Sequence, residues 1–299
     1  MSVRVASFNV ENLFARYRFR DNFDPSAEDG FTANNLAFSL HNDDAKRITG
    51  QAICKVDADV ICLQEVESLP VLERFNSQYL KRMKYKHNIL VDSHDPRYID
   101  VAVLSRYPFS YINTHRAERN SSNRAWLFSR DCLEVDVDIN GKTLSLYVNH
   151  LKSMMGGRNK TKVRRREQAN RVAEIVDSWW KVRKYEGNFI VAGDFNDYID
   201  SNTSLDALVS HPGLVNVVDR LPEGERWTHY WAGGNTYGQL DYLLISKSLA
   251  AANGNAPGIL RNGLPLRATR YAGARFNGTG ENNPKASDHC PLYMDLKLS

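Results

Sequence analysis

Asn140-Gly141 stands between two strictly alternating runs, Leu133-x-Val135-x-Val137-x-Ile139 and Leu144-x-Leu146-x-Val148. Asn and Gly both tolerate the positive φ that a two-residue turn between right-twisted strands requires, so the segment predicts an antiparallel hairpin. A period of two gives each strand one apolar face, and a sheet with such a face must bury it against another layer.

The neighbours of this hairpin set the class. Short β-branched runs bounded by turn residues predict strands over 3–10, 60–64, 89–91, 101–104, 133–139, 143–149, 189–192, 240–245 and 291–298. Three- and four-residue spacing predicts helices over 44–56, 69–82 and 162–184, the last carrying Val172, Ile175, Val176 and Trp179. The stretch 250–287, rich in Ala, Gly, Asn and Pro, reads as long loops. Strands interleaved with helices are the pattern of an α/β layered domain. No fixed-period repeat and no Pro/Ser linker divides the chain, so 1–299 reads as a single domain.

Composition removes several classes. The chain has 39 Lys+Arg against 35 Asp+Glu, a net charge of +4 that permits an anionic partner without demanding one. At 42% hydrophobic and 10% aromatic it is neither disordered nor fibrous. Cys54, Cys62, Cys132 and Cys290 are scattered, which argues against a disulfide framework and a zinc finger. Cys290 reads as a small buried hydrophobe. No window approaches the length of a membrane span, and the residues after Met1 lack the basic start and apolar stretch of a secretion signal. The expectation is a cytoplasmic protein, with a monomer favoured.

Polar residues repeatedly fall at the C-terminal ends of the strand-like runs. The cases are Ser7-Phe8-Asn9-Val10-Glu11-Asn12, Leu63-Gln64-Glu65-Val66, Val148-Asn149-His150-Leu151-Lys152-Ser153, Ala192-Gly193-Asp194-Phe195-Asn196-Asp197, Leu240-Asp241-Tyr242 and Ser287-Asp288-His289-Cys290-Pro291. Strand ends are where α/β layouts place reactive groups. Carboxylate and amide oxygens without thiolates suit a hard cation such as Mg²⁺, with Mn²⁺ as the alternative. Phosphoester hydrolysis by water needs such a Lewis acid together with a base for the water and donors for the developing charge.

These six motifs, in this order from Asn9 to His289, resemble the endonuclease/exonuclease/phosphatase superfamily. The resemblance implies an α/β four-layered sandwich, with two packed mixed β-sheets flanked by helices. It implies a phosphoric ester hydrolase, a metal-dependent phosphodiesterase of the nuclease type with DNA or RNA as partner and substrate. A phosphatase or lipid phosphodiesterase acting on inositol phosphates or sphingomyelin is the alternative. By position, Glu65 would be the principal metal ligand, with Asn9, Asp288 and Glu11 beside it. Asp194 would position or deprotonate the attacking water, and Asn196 would hold a phosphate oxygen. Asp241 would orient His289, whose ring contacts the scissile phosphate. His150 would protonate the leaving group, with Asp100 as its partner.

Each motif alone has a structural reading. Asn9 and Asn12 suit turns, Glu65 a solvated face, and Asp194 a helix cap. His41, His87, His94, His115, His211 and His229 lack motif context and read as hydrogen-bonded structural residues. Trp179-Trp180 reads as core, whereas Tyr230-Trp231 suits either core or a surface that stacks on a ring. From Arg158 to Arg166 six basic residues follow the His150 motif. They form either a solvated helix start or a phosphate-contacting edge; Lys152, Arg158, Arg164 and Trp231 are the substrate-binding candidates. Cations at a helix start oppose the macrodipole, which hints at a second use.

Overall fold

The computed structural model describes residues 2–19, 36–40 and 42–299, so His41 lies outside the described residues. Along the first half run β1 (Ser2–Leu13), β2 (Ala15–Phe19), β3 (Leu36–Leu40), α1 (Asp43–Val56), β4 (Val60–Val66) and α2 (Leu69–Tyr79). Next come β5 (His87–Leu90), β6 (Asp100–Ser105), β7 (Phe109–Thr114), β8 (Cys132–Ile139) and β9 (Lys142–His150). The second half holds α3 (Arg158–Trp180), β10 (Phe189–Asp194), α4 (Asp206–Val209), β11 (Leu214–Asn216), β12 (His229–Trp231) and β13 (Thr236–Gly238). It ends with β14 (Asp241–Ser246), α5 (Lys247–Ala252), β15 (Gly258–Ile259) and β16 (Leu292–Lys297).

Asn140 and Gly141 take φ of 55° and 85° between β8 and β9, so the hairpin forms as its residues require. Two six-stranded sheets result, in the orders β15-β16-β1-β4-β6-β5 and β11-β14-β10-β9-β8-β7. Each is mixed, with one parallel pair at its centre: β1 with β4, and β9 with β10. Alternation sorts the side chains into layers. Val3, Val5, Val60, Cys62, Val101, Val103, Leu144, Leu146, Ile190 and Leu243 form the core between the sheets. The outward residues of the first sheet, among them Phe8, Ile61 and Leu63, pack on Ile48, Ile53, Leu72 and Phe75 of α1 and α2. Tyr147, Phe189, Val191 and Leu244 of the second sheet pack on Val172, Ile175, Val176 and Trp180 of α3. The result is an α/β/β/α sandwich.

Several expectations need adjustment. Helix α2 stops at Tyr79, and α3 runs from Arg158 to Trp180 rather than over 162–184. Gly157, at φ 117°, sets the start of α3. The carboxylates of Asp197 and Asp200 offset the cation there by pairing with Arg158. Trp180 is core but Trp179 is exposed beneath the Arg183 guanidinium. Within 250–287, α5 ends and β15 forms, each too short to show a period. Among the described residues no helix is long and apolar enough to cross a membrane.

Candidate active site

The face of each sheet that lines the inter-sheet core changes from apolar to polar toward one end of the sandwich. On β1 the alternation runs Val3, Val5, Ser7, Asn9; on β4, Val60, Cys62, Gln64. Opposite, β9 runs Leu146, Val148, His150, β10 runs Ile190, Ala192, Asp194, and β14 arrives with Asp241 before Leu243 and Ile245. Strand pairing then fixes these groups. Parallel register aligns His150 with Asp194, and antiparallel register aligns Asp194 with Asp241, so the three stand in a row about 4.8 Å apart per strand. Gly193 allows this close approach: a Cβ there would lie 1.8 Å from the Asn149 carbonyl oxygen.

Asp194 is held from both sheets. Asn9 Nδ2 donates to its Oδ2 at 3.1 Å, the Asn196 backbone N–H donates to Oδ1 at 2.9 Å, and Asn196 Nδ2 donates to Oδ2 at 3.0 Å. His289 completes the row, with Nδ1 2.9 Å from Asp241 Oδ2 and Nε2 3.7 Å from Asp194 Oδ2. Its segment is tied down by Ser287 Oγ donating to the Asn9 carbonyl at 2.7 Å, and by Tyr230 N–H donating to the Asp288 carbonyl at 2.9 Å.

Glu65 stands outside the β4 ladder. The β4–β6 register skips from Gln64 to Val66, and Glu65 takes φ 66°, a bulge that turns its side chain into the site. Asn12 N–H donates to its Oε2 at 3.1 Å, while Oε1 faces His150 Nε2 at 3.9 Å without a hydrogen bond from the described residues.

The electrostatics divide the histidines. Burial, with Arg130 and His289 nearby, holds His150 well below its ordinary value and therefore neutral. Burial also opposes charge on His289, but Asp241 and Asp194 outweigh it and keep the imidazolium. Burial pushes the Asp194 carboxyl up to about 6, with His289 opposing and Asp241 adding. Asp288 resists burial through His229, His289 and Lys285, which hold it well below the usual carboxylate range.

Four of the expected site residues are engaged by other groups of the chain. Glu11 does not present free oxygens to a metal, because Lys285 Nζ lies 2.6 Å from Oε1 and the Asp288 N–H donates to Oε2 at 3.1 Å. Asp100 accepts from the Ser93 N–H at 3.2 Å, whereas His150 Nδ1 is buried with no hydrogen-bond partner, so Asp100 is not the partner of His150. Asn196 spends both amide hydrogens on Asp194 and the Leu151 carbonyl, which leaves neither for a phosphate oxygen. Arg158 is gripped by Asp197 at 2.5 Å and by both oxygens of Asp200 at 2.7 and 2.8 Å, which ties the loop after Asp194 to the start of α3. Of the other basic candidates, Arg164 donates to the Trp126 carbonyl, and the Lys152 ammonium has no partner among the described residues. Trp231 is exposed.

His229, which reads from sequence as a structural histidine, and Lys46, Lys285 and Arg130, which have no motif context, also line or support the site. His229 Nε2 lies 3.7 Å from Asp288 Oδ2, and its ring centroid 4.6 Å from that of His289; a three-residue strand showed no period to reveal its face. Lys46 had a signal, as a cation within the buried stripe of α1. Its Nζ donates to the Val10 and Glu11 carbonyls at 2.6 Å, where β1 ends in left-handed Glu11 and Asn12, and burial lowers it to about 8. Arg130, fully buried, pairs with Asp95 at 3.1 Å and donates to the carbonyls of His150 and Leu151.

The donor set suits a hard divalent cation. Glu65 Oε1 and the Asp288 carboxylate are oxygen donors open to the site. Two triplets among the described residues, His229-Asp288-His289 and Asp194-Asp241-His289, bring their donor atoms within 4.8 Å of one another. The buried thiol of Cys290, pushed up by burial, takes no part.

A sequence model described as the Endonuclease/Exonuclease/phosphatase family matches residues 4–297. No curated protein matches by sequence. Among solved structures, the human Nocturnin catalytic domain with bound sulfate superposes at a TM-score of 0.64 and 17% identity, covering 100% of this chain and 95% of that one. An endonuclease/exonuclease/phosphatase from Beutenbergia cavernae also gives 0.64 at 17% identity, covering 100% and 72%. TDP2 from D. rerio complexed with a single-strand DNA product gives 0.60 at 16% identity, covering 99% of each. At these identities the likeness shows the shared fold.

Proposed function

Because this chain belongs to the endonuclease/exonuclease/phosphatase family, whose members are phosphoric ester hydrolases, we propose that it is a divalent-metal-dependent nuclease cleaving DNA or RNA phosphodiester bonds. The observation that carries this reading is the row His150–Asp194–Asp241, closed by His289 and Asn9 at one end of the sandwich. The D. rerio relative captured with a single-strand DNA product supports the substrate class.

Glu65 and Asp288 would hold Mg²⁺, with Mn²⁺ as the alternative; Asn9 Oδ1 already accepts from the Glu11 N–H at 3.0 Å and would add only its remaining lone pair. Such an ion supplies Lewis-acid stabilisation of charge on the phosphoryl oxygens. The chain does the rest. Asp194, held by Asn9 and Asn196, orients the attacking water and takes its proton as the new O–P bond forms. The His289 imidazolium, fixed by Asp241, donates to a nonbridging oxygen as negative charge builds there. Neutral His150, anchored through Arg130, hydrogen-bonds the departing oxygen as the ester P–O bond breaks, and the released alkoxide takes its proton from solvent water.

The test is hydrolysis by purified protein of supercoiled plasmid, single-stranded DNA and RNA, with inositol polyphosphates and sphingomyelin in parallel, in Mg²⁺, Mn²⁺ or EDTA. Metal-dependent cleavage of a nucleic acid is expected. Cleavage confined to the inositol or lipid ester would overturn the substrate class.

A further inference from the structure

Two tryptophans of this chain are more than half exposed, Trp179 at 52% and Trp231 at 57%. An indole left in water forfeits the largest apolar payload a side chain offers. Trp179 is capped by the Arg183 guanidinium, 4.2 Å from its ring centroid. Trp231 has neither a ring partner nor a cation over it among the described residues.

Its setting is nonetheless built. The β12–β13 hairpin turns through Gly233-Gly234, whose backbone lies against the indole. A Cβ on Gly234 would stand 2.3 Å from Trp231 Cζ3, and one on Gly233 3.0 Å from Cε2. Glycines here let the turn brace the ring, and any side chain would displace it. On the other side of β12, Tyr230 is fully buried in a cluster with Trp227, Leu264 and Cys290. Alternation therefore puts Trp231 on the same face as His229. His229 is paired across with His289, and the next residue donates its N–H to the Asp288 carbonyl. Trp231 thus projects on the side of the ribbon that carries His289, about 7 Å further along the strand. A group attached to a phosphate held at His289 reaches that distance.

Resting on the nuclease reading above, we infer that Trp231 is a braced stacking platform for the nucleobase next to the scissile phosphate, and so selects base-bearing phosphodiesters over base-free ones. A π-face is common to all bases, so the platform selects for a ring without selecting its sequence.

The test compares kcat/KM on an oligonucleotide with kcat/KM on the same backbone carrying an abasic residue beside the cleaved bond. The wild-type ratio is expected to be about 10- to 100-fold, to fall to about one in Trp231→Ala, and to be largely kept in Trp231→Phe. Independently of turnover, a nucleoside monophosphate should quench tryptophan fluorescence beyond what ribose 5-phosphate does, and Trp231→Phe should remove that excess. An unchanged ratio in Trp231→Ala, or the excess quenching persisting in Trp231→Phe, overturns the inference and leaves the nuclease reading standing. Failure of the wild type to cleave any nucleic acid while it cleaves another phosphoester overturns the reading on which the inference rests.

Discussion

His289 Nδ1 lies 2.9 Å from Asp241 Oδ2, and Asp241 is paired in register with Asp194 on the neighbouring strand. One carboxylate on β14 therefore fixes both the tautomer and the charge of the histidine that faces Asp194 Oδ2 at 3.7 Å. Asp241→Asn preserves the shape but removes the charge that keeps His289 protonated. We expect kcat to fall about 100-fold or more with little change in KM. The alkaline limb of the pH–rate profile should move to lower pH, because His289 loses a group that raises it. An unshifted limb would mean that Asp241 acts only as packing.

Glu65 and Glu11 should separate in metal affinity. Glu65 offers a free oxygen to the site, whereas Lys285 and the Asp288 N–H occupy both oxygens of Glu11. Calorimetric Mn²⁺ titration should show a loss of about 100-fold for Glu65→Gln and no more than about 10-fold for Glu11→Gln. Equal losses would restore Glu11 as a ligand.

Arg130 carries structure into the site. Its guanidinium is buried, shares Asp95 with Arg97, and pins the carbonyls of His150 and Leu151 at the exit of β9. Arg130→Met leaves Asp95 buried without this partner and should lower unfolding stability by about 3–5 kcal/mol in urea titration. A loss below about 1 kcal/mol would show the pair to be solvated in solution.

Asp100 gives a pH signature. Burial pushes its carboxyl up to about 7 from 3.8, with Asp92, Asp95 and Asp131 adding to the effect and the Ser93 N–H opposing it. Between those values the folded protein holds a proton that the unfolded chain has released, so this group costs stability increasingly as pH rises through the window. Asp100→Asn, which keeps an acceptor for Ser93, should raise the Tm at pH 8 and give no gain at pH 4. An equal shift at both values would exclude the titration.

The sequence made the strands, their layering and the polar strand ends legible because each rests on a local signal: period two, an Asn-Gly turn, or a charged residue where an apolar run stops. Fates decided by long-range partners were not legible. Glu11 reads as a ligand until Lys285, 274 positions away, is found against it. Arg158 reads as a phosphate contact until Asp197 and Asp200 fold back onto the helix start. His229 has no motif around it and enters the site only because a three-residue strand lies beside the Asp288-His289 segment.

The most direct test of the account is cleavage of a labelled single-stranded oligonucleotide in Mg²⁺, under single-turnover conditions, by the wild type, Asp194→Asn and His289→Ala, each checked for native unfolding behaviour. EDTA-sensitive cleavage by the wild type is expected, with a loss of at least about 1,000-fold in each folded variant. Cleavage that survives either substitution, or that proceeds unchanged in EDTA, would contradict the proposed mechanism.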